Sequence, residues 1–347
     1  MKYMERTKHV PVLLQEAVDG LRVKSGDVVV DATLGGGGHT REILKCVLPA
    51  RNATRSVAGG SGGKVIALDA DKSALEKFLE AARSDEFLTK ALADKSLILA
   101  HKNYSFLGGV LEDEGIEKAD AILADLGFSS DQIEDSERGF SFQQSGILDM
   151  RLNQETELTA QTIVNTFSLE EIEHILREYG DESESRRIAR AIVTAREKKP
   201  IVTTVELREL IEKVYSKRQT LRQSSGRPGY KPIRIHPATK TFQALRIAVN
   251  QEFEHLEQFL EEAVKHLRLG GRLAIITFHS GEDRIVQQFF KKQAQGCICP
   301  PGFPVCRCGQ KPILKILTKK PITPSNQEVK DNPRSRSARL RIVEKLS

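Results

Sequence analysis

The chain has 347 residues, 39% of them hydrophobic and 29% charged, with a formal net charge of +6 and a pI near 9.0. That length suffices for one large domain carrying an insertion, or for two domains. No apolar run approaches the ~20 residues that a spanning helix needs, so membrane insertion is excluded. The segment Met1 to Pro11 has no apolar core behind its charges, which predicts no secretory signal and a cytoplasmic protein.

In chain order, Asp27-Val-Val-Val-Asp31 is a β-branched run ending on a carboxylate. The turn Ala32-Thr-Leu-Gly-Gly-Gly-Gly38 and a helix-compatible stretch from His39 to Val47 follow, which makes a strand, a turn and a helix. Ala58-Gly-Gly-Ser-Gly-Gly63 reads as a flexible surface insertion. The alternation resumes with Lys64 to Asp69 and a helix to about Arg83, then Ser96 to Ala100 and a helix from about Phe106 to Glu114, then Asp120 to Asp125. Strands alternating with helices argue for parallel βαβ units, an α/β class. A long amphipathic helix from about Thr239 to Leu267, the run Gly271 to Phe278 and a helix from Glu282 to Lys292 resume the pattern later. Ile313 to Leu317 and Ala338 to Val343 alternate in polarity and predict antiparallel edge strands.

The interruption reads as helical. Ser168-Leu-Glu-Glu171 and Thr203-Thr-Val-Glu206 match the capping box, a hydroxyl three residues ahead of a Glu, and each precedes apolar residues at helical spacing. The expected organisation is therefore a first part over residues 1–139, an all-helical insertion over 140–234, and a second part over 235–347. Between Arg186 and Lys240, fifteen Lys and Arg face four Glu, a local excess of +11. An imbalance of that size points to phosphate contacts, with Lys240 and Arg246 as further candidates.

Four of the five cysteines form Cys297-x-Cys299-x6-Cys306-x-Cys308. Paired thiolates at such spacing can hold a tetrahedral zinc, but each pair is one residue tighter than usual, so thiols in a Pro/Gly loop are the preferred reading and no metal is assigned to the site. Cys46 reads as a small core residue.

In an open parallel sheet, ligands bind outside the carboxyl ends of the strands. Gly35 to Gly38 lie in the first such turn, where glycine lets the backbone approach a ligand closely. Counted from Gly35, the third glycine of the dinucleotide fingerprint G-x-G-x-x-G falls on Thr40, which disfavours a pyrophosphate ligand. Asp69, ending the second strand, is placed to accept from ribose hydroxyls, whereas Asp71 reads as a helix cap.

At Asp125-Leu-Gly-Phe-Ser-Ser-Asp-Gln132 the chain resembles the MraW/RsmH family, bacterial enzymes that methylate N4 of a cytidine in the decoding region of 16S ribosomal RNA. The same resemblance runs through His9-Val-Pro-Val-Leu-Leu14, Asp31 to His39, Glu137-Arg-Gly-Phe-Ser-Phe142, Leu148-Asp-Met-Arg151, His236 to Arg246, Phe278 to Arg284 and Asn332 to Ala338. It covers essentially the whole chain. It implies a class I S-adenosylmethionine-dependent methyltransferase, a Rossmann-like sheet with an inserted all-helical domain. It implies S-adenosyl-L-methionine contacts at Gly37, Gly38, His39, Asp69, Tyr104, Asp125 and Gln132. Tyr104 stands where the family often has Phe, and the insertion from Ala50 to Gly63 is longer than expected.

The implied partner is 16S rRNA in the small ribosomal subunit, with no membrane association, and a homodimer is admitted. Cytosine's exocyclic amine is a weak nucleophile, so acceptors that draw on its N–H groups help. Asp125 suits that role, Phe128 can stack on an extruded base, and His279, just past the fifth strand, is the other candidate for the catalytic cleft. The rival from a different class is a noncatalytic RNA-binding ribosome-assembly factor on the same fold. N-methylation of DNA and nicotinamide-dependent hydride transfer stand further off.

Overall fold

The computed structural model describes residues 11–48, 62–128, 135–224, 236–297, 299 and 307–346. Among them are strands β1 (Val28–Asp31), β2 (Lys64–Asp69), β3 (Leu97–His101), β4 (Ala119–Asp125), β5 (Leu267–Thr277), β6 (Leu314–Ile316) and β7 (Arg339–Lys345). The helices are α1 (Leu14–Leu21), α2 (Gly38–Val47), α3 (Lys72–Ala82), α4 (Glu86–Ala93), α5 (Leu107–Asp113), α6 (Ala160–Thr166), α7 (Leu169–Glu178), α8 (Ser185–Arg196), α9 (Thr204–Ser224), α10 (Ala238–Asn250), α11 (Glu252–His266), α12 (Ser280–Ala294) and α13 (Asn326–Asp331).

The chain divides into two compact units, Met1–Gly127 with Phe253–Ser347, and Phe128–Glu252. In the first, seven strands form one sheet in the order β3-β2-β1-β4-β5-β7-β6. β1 to β5 pair in parallel, while β7 runs antiparallel to both β5 and β6. This is the strand order of a class I methyltransferase sheet. From β1 the chain steps outward to β2 and β3, then returns to β4 on the other side, so the topological switch point lies between β1 and β4.

Both sheet faces are covered. Val29, Val65, Ala67 and Leu123 share one core cluster with α1, α2 and α3, whereas Val30, Ile66, Leu68 and Ile122 share another with α5, α11 and α12. Strands buried on both faces read as continuous apolar runs, which is why β1, β2 and β4 are so plain in sequence. Each fully buried Val, Leu or Ile among them contributes roughly 1.5–3 kcal/mol.

β7 departs from the expected pair of edge strands. It is hydrogen-bonded on both sides, with Leu340, Arg341, Ile342 and Val343 buried, so that of this pair β6 alone lies at an edge of the sheet. Its alternating charge comes from Arg341, whose buried guanidinium donates to Asp283 on α12 at 2.7 and 3.1 Å, while Arg339 donates to the same carboxylate at 2.8 Å.

In the second unit, α6 to α10 enclose a core that includes Ile163, Ile172, Leu176, Ile188, Ile192 and Leu207. Both expected capping boxes are present. The Glu171 amide donates to Ser168 Oγ and the Ser168 amide to Glu171 Oε2, and Thr203 and Glu206 exchange the same pair. The boundaries differ from 140 and 234, because α10 buries Phe242, Leu245 and Val249 in this helical core. The long helix expected from Thr239 is also two helices, divided at Gln251, which takes φ 49°.

Candidate functional site

Three carboxylates mark the carboxyl edge of the sheet: Asp31 ends β1, Asp69 ends β2 and Asp125 ends β4. Asp31 is fully buried; it accepts from Thr40 Oγ at 2.6 Å and from the Thr33 amide at 3.2 Å. Burial pushes it up to about 7, against those hydrogen bonds and with help from the charge of Asp69. The glycine turn is thus pinned from both ends, by Thr33 before it and by Thr40 in the first turn of α2.

Asp69 reaches across to the same turn. Its Oδ2 accepts from the Gly35 amide at 2.9 Å and its Oδ1 from the Asp71 amide at 2.8 Å. Burial raises its pKa, and the two backbone donors oppose that. Each oxygen keeps a lone pair for a ligand hydroxyl. Asp71 caps α3 by accepting from the Ser73 amide, as its position in the sequence implied.

The turn needs its glycines at particular places. Gly37 takes φ 73°, and a Cβ there would lie 2.2 Å from the Phe78 ring, while a Cβ on Gly38 would lie 2.7 Å from Pro11. Gly35 also has positive φ, at 49°, but a Cβ there would meet no atom of the described residues within 4 Å. Gly37 and Gly38 therefore serve close packing around α2, whereas Gly35 faces open space.

Asp125 is the least satisfied of the three. Its amide donates to Thr33 Oγ at 2.6 Å, its Oδ2 lies 3.8 Å from His39 Nδ1, and its buried Oδ1 has no hydrogen-bond partner among the described residues. Burial, then Asp31, then Glu282 push its pKa up to about 8. His39 itself is buried, with Nε2 3.2 Å from the Val12 carbonyl. It thereby links Asp125 to the segment before α1.

Tyr104 lies in a single 3-10 turn that follows β3, with its ring packed edge-on against Phe259 at 5.3 Å. His279 is the N-cap of α12. Its Nδ1 accepts from the Glu282 amide at 3.4 Å, and its Nε2 lies 3.1 Å from Glu282 Oε1, off the line of a good hydrogen bond. Glu282 is buried and accepts from the Phe278 amide at 2.8 Å. The structure gives His279 a capping task at the start of α12.

The sheet edge thus brings together Gly37, Gly38, His39, Asp69 and Asp125, with Thr33, Thr40 and Glu282 as partners that sequence reasoning did not single out. Hydroxyls two and nine residues from a strand-end Asp carry no signal without the fold. Gln132 lies outside the described residues. Phe128 belongs to the helical unit, where the Arg246 guanidinium sits 4.1 Å from its ring centroid and Phe140 packs at 5.2 Å. Arg246 also forms a two-pronged ion pair with Glu252, at 2.9 and 2.8 Å, and Lys240 donates to the Asp181 carbonyl. Both cations have internal partners. Exposed basic side chains of the unit include Arg186, Arg187 and Arg190 on α8, with Arg177 on α7 and Lys213 on α9.

The model of the MraW methylase family matches residues 6–346. The chain is 43% identical over 339 residues to "Ribosomal RNA small subunit methyltransferase H" of Finegoldia magna, covering 98% of this chain and 99% of that one. It is 44% identical over 339 residues to the protein of the same name from Clostridium botulinum, with the same coverage. For the one from Thermomicrobium roseum the identity is 44% over 344 residues, covering 98% of this chain and 94% of the relative.

Proposed function

The chain belongs to the MraW methylase family, and from that membership and the carboxylate site we propose that it transfers a methyl group from S-adenosylmethionine to N4 of a cytidine in the decoding region of small-subunit ribosomal RNA. The observation that carries the cofactor is the buried Oδ1 of Asp125 at the switch point, without a hydrogen-bond partner among the described residues, in a site that also holds Asp31 and Asp69. Three carboxylates around one turn would repel a pyrophosphate, whereas a sulfonium with an ammonium group relieves their mutual repulsion.

Bound there, the cofactor supplies a methyl group activated by the adjacent positive sulfur. The protein's part is alignment, since nucleophile, methyl and sulfur must lie nearly in line. Asp69 holds ribose hydroxyls while keeping the Gly35 turn in place. The Tyr104 ring offers a face to a base. His39 and Thr33 fix Asp125, which accepts N–H groups, from the cofactor's ammonium or from the target amine. His279 is a positioning residue, acting through the α12 cap and Glu282. Phe128 keeps the stacking role on an extruded base.

The relatives' names speak of small-subunit ribosomal RNA, and the exposed arginines of α8 suit that polyanion. Mass spectrometry of small-subunit RNA from cells with and without the protein tests the reading. Loss of a single N4-methylcytidine, restored by the wild-type chain and not by Asp125→Ala, is the expected outcome. Unchanged modification on deletion rejects it, and leaves a noncatalytic assembly role.

A further inference from the structure

The chain leaves α12 at Ala294 and returns to β6 at Leu314, and the neck of this excursion is sewn shut. The Ile313 amide donates to the Gln293 carbonyl at 2.9 Å, and Gln310 Nε2 to the Gln295 carbonyl at 3.3 Å. Just beyond the neck, the sulfurs of Cys297, Cys299 and Cys308 all lie within 4.8 Å of one another, and Cys308 Sγ is 3.7 Å from Cys297 Sγ. A tetrahedral zinc with Zn–S bonds of ~2.3 Å requires sulfurs about 3.8 Å apart along each edge.

Two further features suit thiolates. The Arg307 amide points at Cys299 Sγ at 3.4 Å, a backbone donor that stabilises negative charge on sulfur. Gly309 takes φ 63° directly after Cys308, a left-handed conformation that glycine adopts without strain, so the chain turns sharply there. The sequence carries a fourth thiol at Cys306, outside the described residues.

We propose that Cys297, Cys299 and Cys308 bind a thiophilic divalent cation, zinc, as a structural clip on the neck between α12 and β6. The cysteines follow the carboxyl end of α12, and the clip plays no part in methyl transfer. One-residue spacing within each cysteine pair, which counted against zinc in the sequence, is outweighed by the convergence of sulfurs from both arms of the neck.

The test is metal analysis of the full-length protein purified under reducing conditions from zinc-supplemented cells, with thiol alkylation and intact mass measured on the same sample. The expected result is close to one equivalent of zinc, lost in Cys297→Ser/Cys308→Ser, and an intense tetrahedral cobalt–thiolate spectrum when cobalt replaces it. Limited proteolysis should cut the variant, and not the wild type, between residues 295 and 313. S-adenosylmethionine binding, measured by calorimetry, reports that the variant is folded. Reduced thiols with no metal, thiols joined as disulfides, or zinc retained by the double variant would each overturn the proposal.

Discussion

The Gly35 amide donates to Asp69 Oδ2 across 34 positions of sequence, so the turn after β1 and the end of β2 are one piece of structure. An amide at position 69 offers one acceptor where two backbone donors converge, Gly35 and Asp71. Asp69→Asn should therefore weaken S-adenosylmethionine binding at least ~10-fold, the equivalent of one hydrogen bond to a charged group, and Asp69→Ala further. Calorimetric titration measures it, and wild-type affinity in Asp69→Ala would remove Asp69 from the site.

Asp125 sets a pH dependence. Its folded-state pKa, near 8, is above the unfolded carboxylate value of ~3.9, so the unfolded chain gives up this proton first. In the absence of ligand its contribution is a loss of stability as pH rises from about 4 to 8. A cationic ligand favours the ionised form, so cofactor affinity should climb through pH 7 to 8 with proton release. Titrations in buffers of different ionisation enthalpy read that release directly, and Asp125→Asn should abolish it.

The two positive-φ glycines of the turn should respond differently to alanine. Gly35→Ala carries only the backbone strain of the left-handed region, about 1–2 kcal/mol. Gly37→Ala adds a collision with the Phe78 ring and should lower the melting temperature further, a deficit that Phe78→Leu partly relieves. Ligand affinity divides them the other way, since only a Cβ on Gly35 enters open space. Equal melting temperatures for the two alanine variants would contradict this assignment.

Asp283 accepts from Arg339 and Arg341 together and so fastens α12 to β7. Burial alone would raise its pKa, but the Arg341 and Arg339 hydrogen bonds outweigh that and hold it below the usual carboxylate range. Its stabilisation is present above the unfolded pKa of ~3.9 and disappears as pH falls through the folded value. Asp283→Ala leaves Arg341 buried and unpaired, and denaturant unfolding should record a loss of about 3 kcal/mol. A loss below ~1 kcal/mol would mean that the pair is not desolvated.

RNA affinity should fall steeply with salt, because each neutralised phosphate releases counterions. If Arg186 and Arg190 contact phosphate, replacing both by Gln should reduce the slope of log affinity against log salt by roughly 1.4–1.8. Replacing Lys240, which is tied to the Asp181 carbonyl, should leave the slope unchanged.

The βαβ alternation was legible because β1, β2 and β4 are apolar on both faces, and the capping boxes because Ser168 and Thr203 act within one helical turn. Asp85, which caps α4 through the Phe87 and Leu88 amides, was an available cue for a helix that the strand pattern passed over. The break at Gln251 had no cue, since neither Gly nor Pro marks it.

Sequence by itself determined the strand ends that carry Asp31, Asp69 and Asp125, the glycine turn, and the family resemblance, all of which depend on residues close together in the chain or on long matching runs. Only tertiary structure decided that β7 is interior, that α10 packs with the helical core, that Lys240 and Arg246 have partners, and that three cysteine sulfurs converge. Those outcomes depend on which distant side chains meet, and one residue's identity does not encode its neighbours across the sheet or across the neck of a loop.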